Sequence, residues 1–137
     1  MSTPRTRRRA AADRGISSAA LSVRRLLRRD RFSTGLGIEM IEAGPGRAVL
    51  AMTVARGHLN CYAKAHGGAL FTLADTAFGM AANTYDVVAV GIDAHMAFAV
   101  AVEEGDRLTA RAREITRGRR TAVYRVDIER RDGTPVA

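Results

Sequence analysis

The sequence predicts an α+β domain in which an antiparallel sheet wraps around one buried helix. Residues 66–83 form one long apolar segment with helical periodicity. The segments on either side alternate apolar and polar residues, as half-buried antiparallel strands do. Glycine-containing turns separate these segments. A single apolar helix among such strands is expected to pack against the apolar face of the sheet.

The chain begins with an arginine-rich leader. Residues 1–31 contain ten arginines and two aspartates, whereas the rest of the chain contains equal numbers of basic and acidic side chains. The whole formal charge of +8 therefore lies in this segment. We expect residues 1–15 to be disordered, with an organellar transit peptide as the alternative, and residues 16–137 to form a single domain. We expect the leader to contact neither nucleic acid nor a membrane.

The expected location is the cytoplasm. No segment has the apolar length that a secretory signal or a membrane span needs. The chain has one cysteine, Cys61, which excludes an internal disulfide and fits a reducing compartment.

One helix and one hairpin are predicted before the central helix. Residues 16–31 place apolar side chains near helical spacing with arginines on the other side, which indicates an amphipathic helix on the domain surface. Its alternative role is binding to a membrane surface or to phosphate groups. Residues 36–42 and 47–56 predict two strands, and residues 44–46, Gly-Pro-Gly, form the turn between them.

The central helix is followed by further strands. Apolar residues cover so much of the helical wheel of residues 66–83 that little of the helix is expected to face water. Three or four strands are predicted within residues 87–102, 106–118 and 119–133. In the second of these segments the leucine and alanine side chains face one way and the arginines the other. The chain ends at residues 133–137, where another strand is expected to begin.

The start of the central helix carries the first chemical feature. His66, Gly67 and Gly68 lie where backbone N–H groups have no partner within the helix and where the helix dipole places partial positive charge. Such an end can polarise a carbonyl group, and glycines let a ligand approach the backbone. The alternative interpretation is a tight turn into the helix.

Asp75 is the second feature, because it places a carboxylate in the middle of the apolar segment. It follows Gly67 by eight residues, which corresponds to roughly 12 Å along a helix axis. The two residues therefore cannot serve one substrate atom within one chain. Two copies with antiparallel central helices would bring Asp75 of one copy to His66 and Gly67 of the other. The alternative is a carboxylate that bonds to a neighbouring threonine, Thr72 or Thr76, or that lies on a narrow polar stripe.

The asparagine, the cysteine and the histidines of the chain are weaker candidates for a functional role. Asn60 precedes the helix, where asparagine commonly bonds to local backbone, although a role in the site is the alternative. Cys61 has no base at the spacing of a thiol enzyme, and His58, His66 and His95 form no metal-binding pattern. We expect neither a metal nor an organic cofactor.

The segment "AHGGALFTLADTAFGMAANTYD" at residues 65–86, together with Asn60 and "GDRLTARA" at residues 105–112, resembles the hotdog-fold thioesterases of the phenylacetate-degradation (PaaI) type. The resemblance extends from about residue 36 to the end of the chain. It implies a hotdog fold, in which a curved antiparallel sheet wraps around a long central helix. It also implies homodimers, often paired into tetramers, and hydrolysis of acyl-CoA thioesters.

The resemblance assigns roles to individual residues. Asp75 matches the catalytic carboxylate, which acts as general base or nucleophile, and Gly67 matches the backbone donor that polarises the thioester carbonyl. His66 and Asn60 match groups that orient substrate or water. Our further candidates for substrate binding are Gly68, Asn83, Arg117, Arg119 and Arg120, the arginines because they can meet CoA phosphates.

Two departures separate the chain from the resembling family. The family has glycines after the asparagine, where this chain has Cys61 and Ala63. Where relatives read Phe-Leu-Arg-Pro, residues 98–101 read Phe-Ala-Val-Ala, without the arginine and the proline. The shape of the acyl pocket and the CoA contacts are therefore expected to differ.

The expected function is an acyl-CoA thioesterase that acts on an aryl-acetyl or hydroxylated phenylacetyl thioester, with medium-chain acyl-CoA left open. We expect a homodimer or a dimer of dimers with active sites shared between subunits. The competing interpretations are a non-catalytic acyl-CoA-binding module with a basic arm for nucleic acid or membrane, and a structural dimer with a degenerate site.

Overall fold

The computed structural model describes residues 17–137, so the predicted disordered leader of residues 1–15 lies outside the described part. In chain order the elements are α1 (Ser18–Arg29), α2 (Arg31–Gly35), β1 (Glu39–Gly44), β2 (Arg47–Thr53), α3 (Gly67–Ala82), β3 (Arg107–Arg117) and β4 (Ala122–Arg130), with a 3-10 turn at Arg56–His58 before α3. This order confirms the predicted α+β class and its central helix. No helix within residues 17–137 has both the length and the apolar character needed to cross a membrane.

The four strands form one antiparallel sheet in the order β1-β2-β3-β4. Helix α3 packs mainly across β2 and β3. The largest side chains with almost no exposed surface come from the facing sides of these elements, and they include Leu50, Met52, Leu73 and Leu108. In β3 the residues Leu108, Ala110 and Ala112 point into this core, whereas Arg111 and Arg113 are exposed, as predicted. The alternating pattern therefore sets which face of the sheet covers the helix.

The predicted N-terminal helix is divided in two at Asp30. Asp30 has an extended backbone and its carboxylate accepts a hydrogen bond from Ser33 N at 3.0 Å, so it ends α1 and caps α2. Helix α1 buries its apolar stripe, and Arg24 donates to the carbonyl oxygens of Met40 at 3.1 Å and Ile41 at 2.9 Å. These contacts fix α1 against β1.

A buried hydroxyl pair joins α2 to the central helix. Ser33 Oγ lies 2.8 Å from Thr76 Oγ1 and 2.7 Å from Asp30 Oδ2, and Thr76 Oγ1 also donates to Thr72 O at 2.7 Å. Ser33 and Thr76 are both buried. Each hydroxyl carries only one proton, so the three contacts share two donors. The pair sets the position of α2 beside the helix that carries Asp75.

The prediction of three or four strands after the central helix is wrong for the described structure, because only β3 and β4 follow α3. Residues 87–102 form no strand, and most of their side chains are exposed. Near its start the backbone of the segment bonds only to the Asn83 side chain and to Tyr85, and its backbone bonds to distant residues lie near its end, where Ala99 N donates to Val136 O at 2.9 Å and Ala65 N donates to Val102 O at 2.8 Å. A strand requires a paired neighbour, and this segment has none along most of its length within residues 17–137.

Replacing Ser33 with alanine tests the link between α2 and α3. We expect Ser33→Ala to lower the free energy of unfolding by about 1–2 kcal/mol, because the buried Thr76 hydroxyl and the partly buried Asp30 carboxylate lose a partner. Urea unfolding measures the change. Ser22→Ala, on the exposed side of α1, is the matched control. A loss no larger than that of the control would show that the hydroxyl pair does not contribute to stability.

Candidate active site

Helix α3 begins with a histidine cap. His66 is the residue before the first helical turn, and its Nδ1 accepts a hydrogen bond from Gly68 N at 2.8 Å. Its backbone N donates to His58 O at 2.7 Å, which holds it in place. A neutral imidazole that accepts at Nδ1 carries its proton on Nε2. His66 is exposed, so its Nε2–H is available as a donor at the helix start.

The amide of Gly67 is the free donor at this end. The N–H groups of the next three residues donate to His66, but that of Gly67 has no acceptor among the residues the structure describes. A β-carbon on Gly67 would lie 3.2 Å from Phe98 Cζ, so the ring packs closely over this glycine. No local sequence pattern predicts this contact, because 31 positions separate the two residues. A free N–H at the positive end of a helix can stabilise developing negative charge on an oxygen.

Asn60 organises the loop that leads into α3. Its Oδ1 accepts hydrogen bonds from Tyr62 N at 2.9 Å and Lys64 N at 3.1 Å. Its backbone also pairs with that of Lys64, with Asn60 N donating to Lys64 O at 2.7 Å. These are the local backbone hydrogen bonds that we expected of an asparagine at this position. A direct role of Asn60 in the site remains a prediction.

Ala63 closes this loop in a strained conformation. It has a φ of 55° and is the only residue other than glycine with a positive φ in the described part of the chain. The left-handed region costs roughly 1–2 kcal/mol for a residue with a β-carbon. This is one of the two positions where the resembling family has glycine, so this chain adopts the left-handed conformation without the residue best suited to it.

Ala63→Gly tests this strain. We expect the free energy of unfolding to rise by about 0.5–1 kcal/mol, because relief of the left-handed alanine exceeds the entropy that glycine adds to the unfolded chain. Chemical denaturation measures it. Ala97→Gly, at an exposed position without a positive φ, serves as control and should not stabilise. A lower stability for Ala63→Gly would contradict the assignment of strain.

Asp75 is exposed, and the expectation that little of α3 faces water is therefore wrong for the single chain. Phe71 and Gly68 are exposed on the same side of the helix, about one and two turns before Asp75, respectively. The sheet covers only the side of α3 that faces away from these three residues. Thr72 and Thr76 do not hold the carboxylate, since their hydroxyls donate to backbone oxygens within the helix.

The exposed side of α3 keeps Asp75 and Gly67 apart. Both lie in the same unbroken helix, so the rise per residue fixes about 12 Å between them along the axis. Among residues 17–137 the Asp75 carboxylate has no hydrogen-bond or ion-pair partner. The single chain thus presents a free donor and a free carboxylate that it cannot bring together.

Asn83 lies at the other end of α3, away from the histidine cap. Its Nδ2 donates to Gly79 O at 2.9 Å and to Ala89 O at 2.8 Å, and its Oδ1 accepts from Ala89 N at 3.0 Å. All of these bonds hold the helix end and the loop that follows. The substrate-binding role of Asn83 remains a prediction that the geometry does not favour.

The three arginine candidates lie near this same end. Arg117 Cζ stacks 3.6 Å from the ring centroid of Tyr85. Arg119 and Arg120 are exposed in the turn between β3 and β4. Within one chain these arginines and the Gly67 amide are at opposite ends of α3, so the structure does not group all the predicted site residues together.

A tyrosine and a glutamate support the strands beneath this end. Tyr124 Oη donates to Glu114 Oε2 at 2.8 Å, and the Tyr124 ring lies 5.5 Å from that of Phe78 on α3. Partial burial, together with the hydrogen bond to Glu114, raises the pKa of the Tyr124 hydroxyl well above its usual value. Tyr124 therefore stays a neutral donor that ties the sheet to the central helix.

Comparison with known proteins places the chain in a family. Residues 62–137 match the thioesterase superfamily. The chain is 39% identical over 108 residues to the acyl-coenzyme A thioesterase PaaI of Escherichia coli K12, a match that covers 79% of this chain and 77% of that protein.

Solved structures agree with this placement. The E. coli PaaI structure superposes with a TM-score of 0.79 at 37% identity, covering 81% of this chain and 80% of that one. A hypothetical thioesterase with coenzyme A from Streptococcus pneumoniae TIGR4 superposes with a TM-score of 0.70 at 31% identity, covering 72% and 77%. The chain therefore belongs to the thioesterase superfamily, as a hotdog-fold thioester hydrolase of the PaaI type.

Proposed function

We propose that this protein is an acyl-CoA thioesterase that hydrolyses an aryl-acetyl or hydroxylated phenylacetyl thioester in sites shared between two copies of the chain. The observation that carries the proposal is the pair of unsatisfied groups on α3. The Gly67 N–H and the Asp75 carboxylate lie on one helix, eight residues apart, and neither has a partner within the described chain. The name of the E. coli relative, an acyl-coenzyme A thioesterase, supports the choice of substrate class.

The proposed pairing has a defined geometry. If two α3 helices run antiparallel and Asp75 of one lies beside Gly67 of the other, the two-fold axis passes near the residue midway between them, which is Phe71. Phe71 is exposed in the single chain, as a residue at such an interface would be. Small residues along the same side of the helix allow two helices to approach closely.

The reaction follows from the placement of these groups. The thioester carbonyl oxygen accepts from Gly67 N–H, and the His66 Nε2–H is a second donor nearby. Asp75 of the other copy removes a proton from the attacking water, or attacks the carbonyl itself to form an anhydride that water then opens. On the general-base route the tetrahedral intermediate expels CoA as its thiolate, which takes up the proton held by Asp75. On the nucleophilic route the thiolate leaves as the anhydride forms and takes up a proton from the water that opens the anhydride. A general base contributes roughly 10²–10⁴-fold and one oxyanion donor roughly 10²–10³-fold.

The arginines at the other end of α3 fit the same arrangement. In the proposed antiparallel pair, Asp75 of one copy lies beside Gly67 of the other. The part of the first α3 that follows Asp75 then continues for about 12 Å beyond that Gly67. Arg117, Arg119 and Arg120 would then lie on the side from which an extended CoA approaches the thioester. Guanidinium groups suit phosphates because they donate two parallel hydrogen bonds.

Asp75→Asn tests the catalytic carboxylate. We expect turnover of phenylacetyl-CoA to fall at least a hundredfold, because the amide can neither accept the proton of water nor attack the carbonyl. Release of free CoA thiol measures the rate, and a thermal melt checks the fold. Glu104→Gln removes an exposed carboxylate in the loop before β3 and should leave turnover unchanged. Unchanged turnover in Asp75→Asn would remove this residue from the mechanism.

Hybrid dimers test whether sites are shared. Asp75→Asn supplies an intact Gly67, and Gly67→Val supplies an intact Asp75, so each hybrid contains one complete site and one doubly defective site. An equal mixture in which subunits exchange freely contains half hybrids, and we expect about a quarter of wild-type turnover by this count. The two variants alone provide the baseline. Absence of recovery after exchange has been verified, for example with differently tagged chains, would contradict the shared site.

A substrate panel tests the acyl group. We expect phenylacetyl-CoA and hydroxyphenylacetyl-CoA to be hydrolysed with higher kcat/KM than benzoyl-CoA or a medium-chain acyl-CoA. Asp75→Asn run beside the wild type separates enzymatic from spontaneous hydrolysis. Tight binding of every acyl-CoA without Asp75-dependent hydrolysis would support the binding-module interpretation instead.

A further inference from the structure

We propose that the α1–α2 region is a peripheral docking surface for an anionic phospholipid membrane. Helices α1 and α2 precede residues 62–137, the part of the chain that matches the thioesterase superfamily, whereas Val87 and Val88 of the same surface lie within that part. The proposal is independent of the proposed function. From the sequence alone we expected no contact between the arginine-rich leader and a membrane. The structure shows exposed apolar side chains beside the arginines of α1 and α2, which the sequence pattern did not reveal.

The charge distribution supplies the first observation. Residues 32–137 carry equal numbers of basic and acidic side chains, so the whole net charge of the chain falls on residues 1–31. Five of the ten arginines in that segment lie at positions 24–31, within the described structure. Arg24 is used to fix α1 to β1, whereas Arg25, Arg28, Arg29 and Arg31 are exposed. In the described structure none of these four forms an ion pair.

Exposed apolar side chains beside these arginines supply the second observation. Leu26 lines a shallow groove together with Arg25, Arg29, Val87 and Val88, so these five residues form one continuous surface, which we call the basic-apolar groove. Val87 and Val88 are 57% and 93% exposed, and Leu26 is 40% exposed. A single carboxylate, that of Asp86, lines the same groove.

Helix α2 extends this surface beyond the groove. Phe32 is 70% exposed and directly follows Arg31. Large apolar side chains that are individually exposed are ordinary, but here several accompany a concentrated positive charge. Arginines beside exposed leucine and phenylalanine are the combination that binds at the boundary between lipid headgroups and acyl chains.

The chemistry favours a lipid surface over two other occupants. The exposed apolar side chains of the groove are leucine and valine, which can neither stack on bases nor hydrogen-bond to them, and Phe32 is the single aromatic ring on α1 and α2. Nucleic-acid surfaces rely on several aromatic and polar side chains. A second copy of the chain docked through the same groove would bring two arginine clusters together, which like-charge repulsion opposes. Anionic headgroups neutralise the arginines, and the headgroup boundary takes up the apolar side chains.

Vesicle sedimentation of the full chain tests the proposal. We expect binding to phosphatidylglycerol-containing vesicles, none to pure phosphatidylcholine vesicles, and weaker binding as salt rises. In the variant Arg25→Gln, Arg28→Gln, Arg29→Gln, binding should fall about a hundredfold, since each arginine near an anionic membrane contributes roughly a fivefold factor.

A matched variant separates the local surface from net charge. The exposed arginines Arg56, Arg113 and Arg131 lie outside α1 and α2 and form no ion pair in the described structure. Replacing all three by glutamine gives the same net charge as the first variant, and binding should stay within a few-fold of wild type. Equal loss in the two variants would overturn the proposal.

A double variant with unchanged net charge tests the contribution of the apolar side chains. Leu26→Ser with Val88→Ser alters exposed side chains only, so the fold should persist, and vesicle binding should fall several-fold at constant charge. Full binding by this double variant would overturn the assignment to lipid. So would the absence of binding to either kind of vesicle, or binding to a DNA or RNA duplex at the same salt that is tighter than binding to anionic vesicles.

Discussion

The fixed rise of the α-helix is the constraint on which the account of the site depends. Gly67 and Asp75 lie on one straight element, and no side-chain rotation shortens the roughly 12 Å between them along the axis to the few ångströms that a reacting thioester spans. The two groups on which the proposed reaction relies are therefore present in one chain but separated. A two-fold pair of antiparallel helices removes this separation without any change in the fold, and it creates two equivalent sites.

The surface of the single chain is consistent with this proposed pairing. One side of α3 is exposed although the helix is apolar, and residues 90–100 expose Val90, Ile92, Phe98 and Val100 while lacking strand neighbours in the described chain. Unpaired extended backbone and exposed apolar side chains are features that proteins usually cover. The histidine cap and the buried Ser33–Thr76 pair, in contrast, are complete within one chain, so they fix the helix that carries the site before any partner arrives.

Much of the fold follows from local sequence pattern. The bounds of α3 agree with the apolar segment to within one residue at each end, and the alternation in residues 106–118 predicts which side chains of β3 face the core. The break at Asp30 has a local cause as well, since aspartate is a preferred N-cap residue and its carboxylate accepts from the backbone N–H of Ser33 in the first turn of α2. Strand formation in residues 87–102 is different, because pairing depends on a neighbour that a local pattern does not specify.

The features of the candidate site also fall into those that the sequence predicts and those that only the structure shows. The resemblance to the PaaI-type thioesterases identifies Asp75 and Gly67, and the structure supplies their exposure and their unsatisfied groups. The packing of Phe98 over Gly67 and the strain at Ala63 depend on three-dimensional contacts and backbone angles that the sequence does not reveal. Asn60 shows the converse: its local hydrogen bonds were foreseeable from its residue type and its position before a helix.

Cross-linking at Phe71 tests the central claim most directly, because the proposed pairing places this residue next to its own copy. The experiment uses Phe71→Cys in a Cys61→Ser background, so that one exposed thiol per chain remains, and treats it with a short bis-maleimide. The account predicts efficient formation of covalent dimers, while a Ser18→Cys control in the same background stays monomeric under denaturing conditions. Absence of covalent dimers from Phe71→Cys, in protein that is dimeric in solution, would contradict the antiparallel pairing of α3 and with it the shared active site.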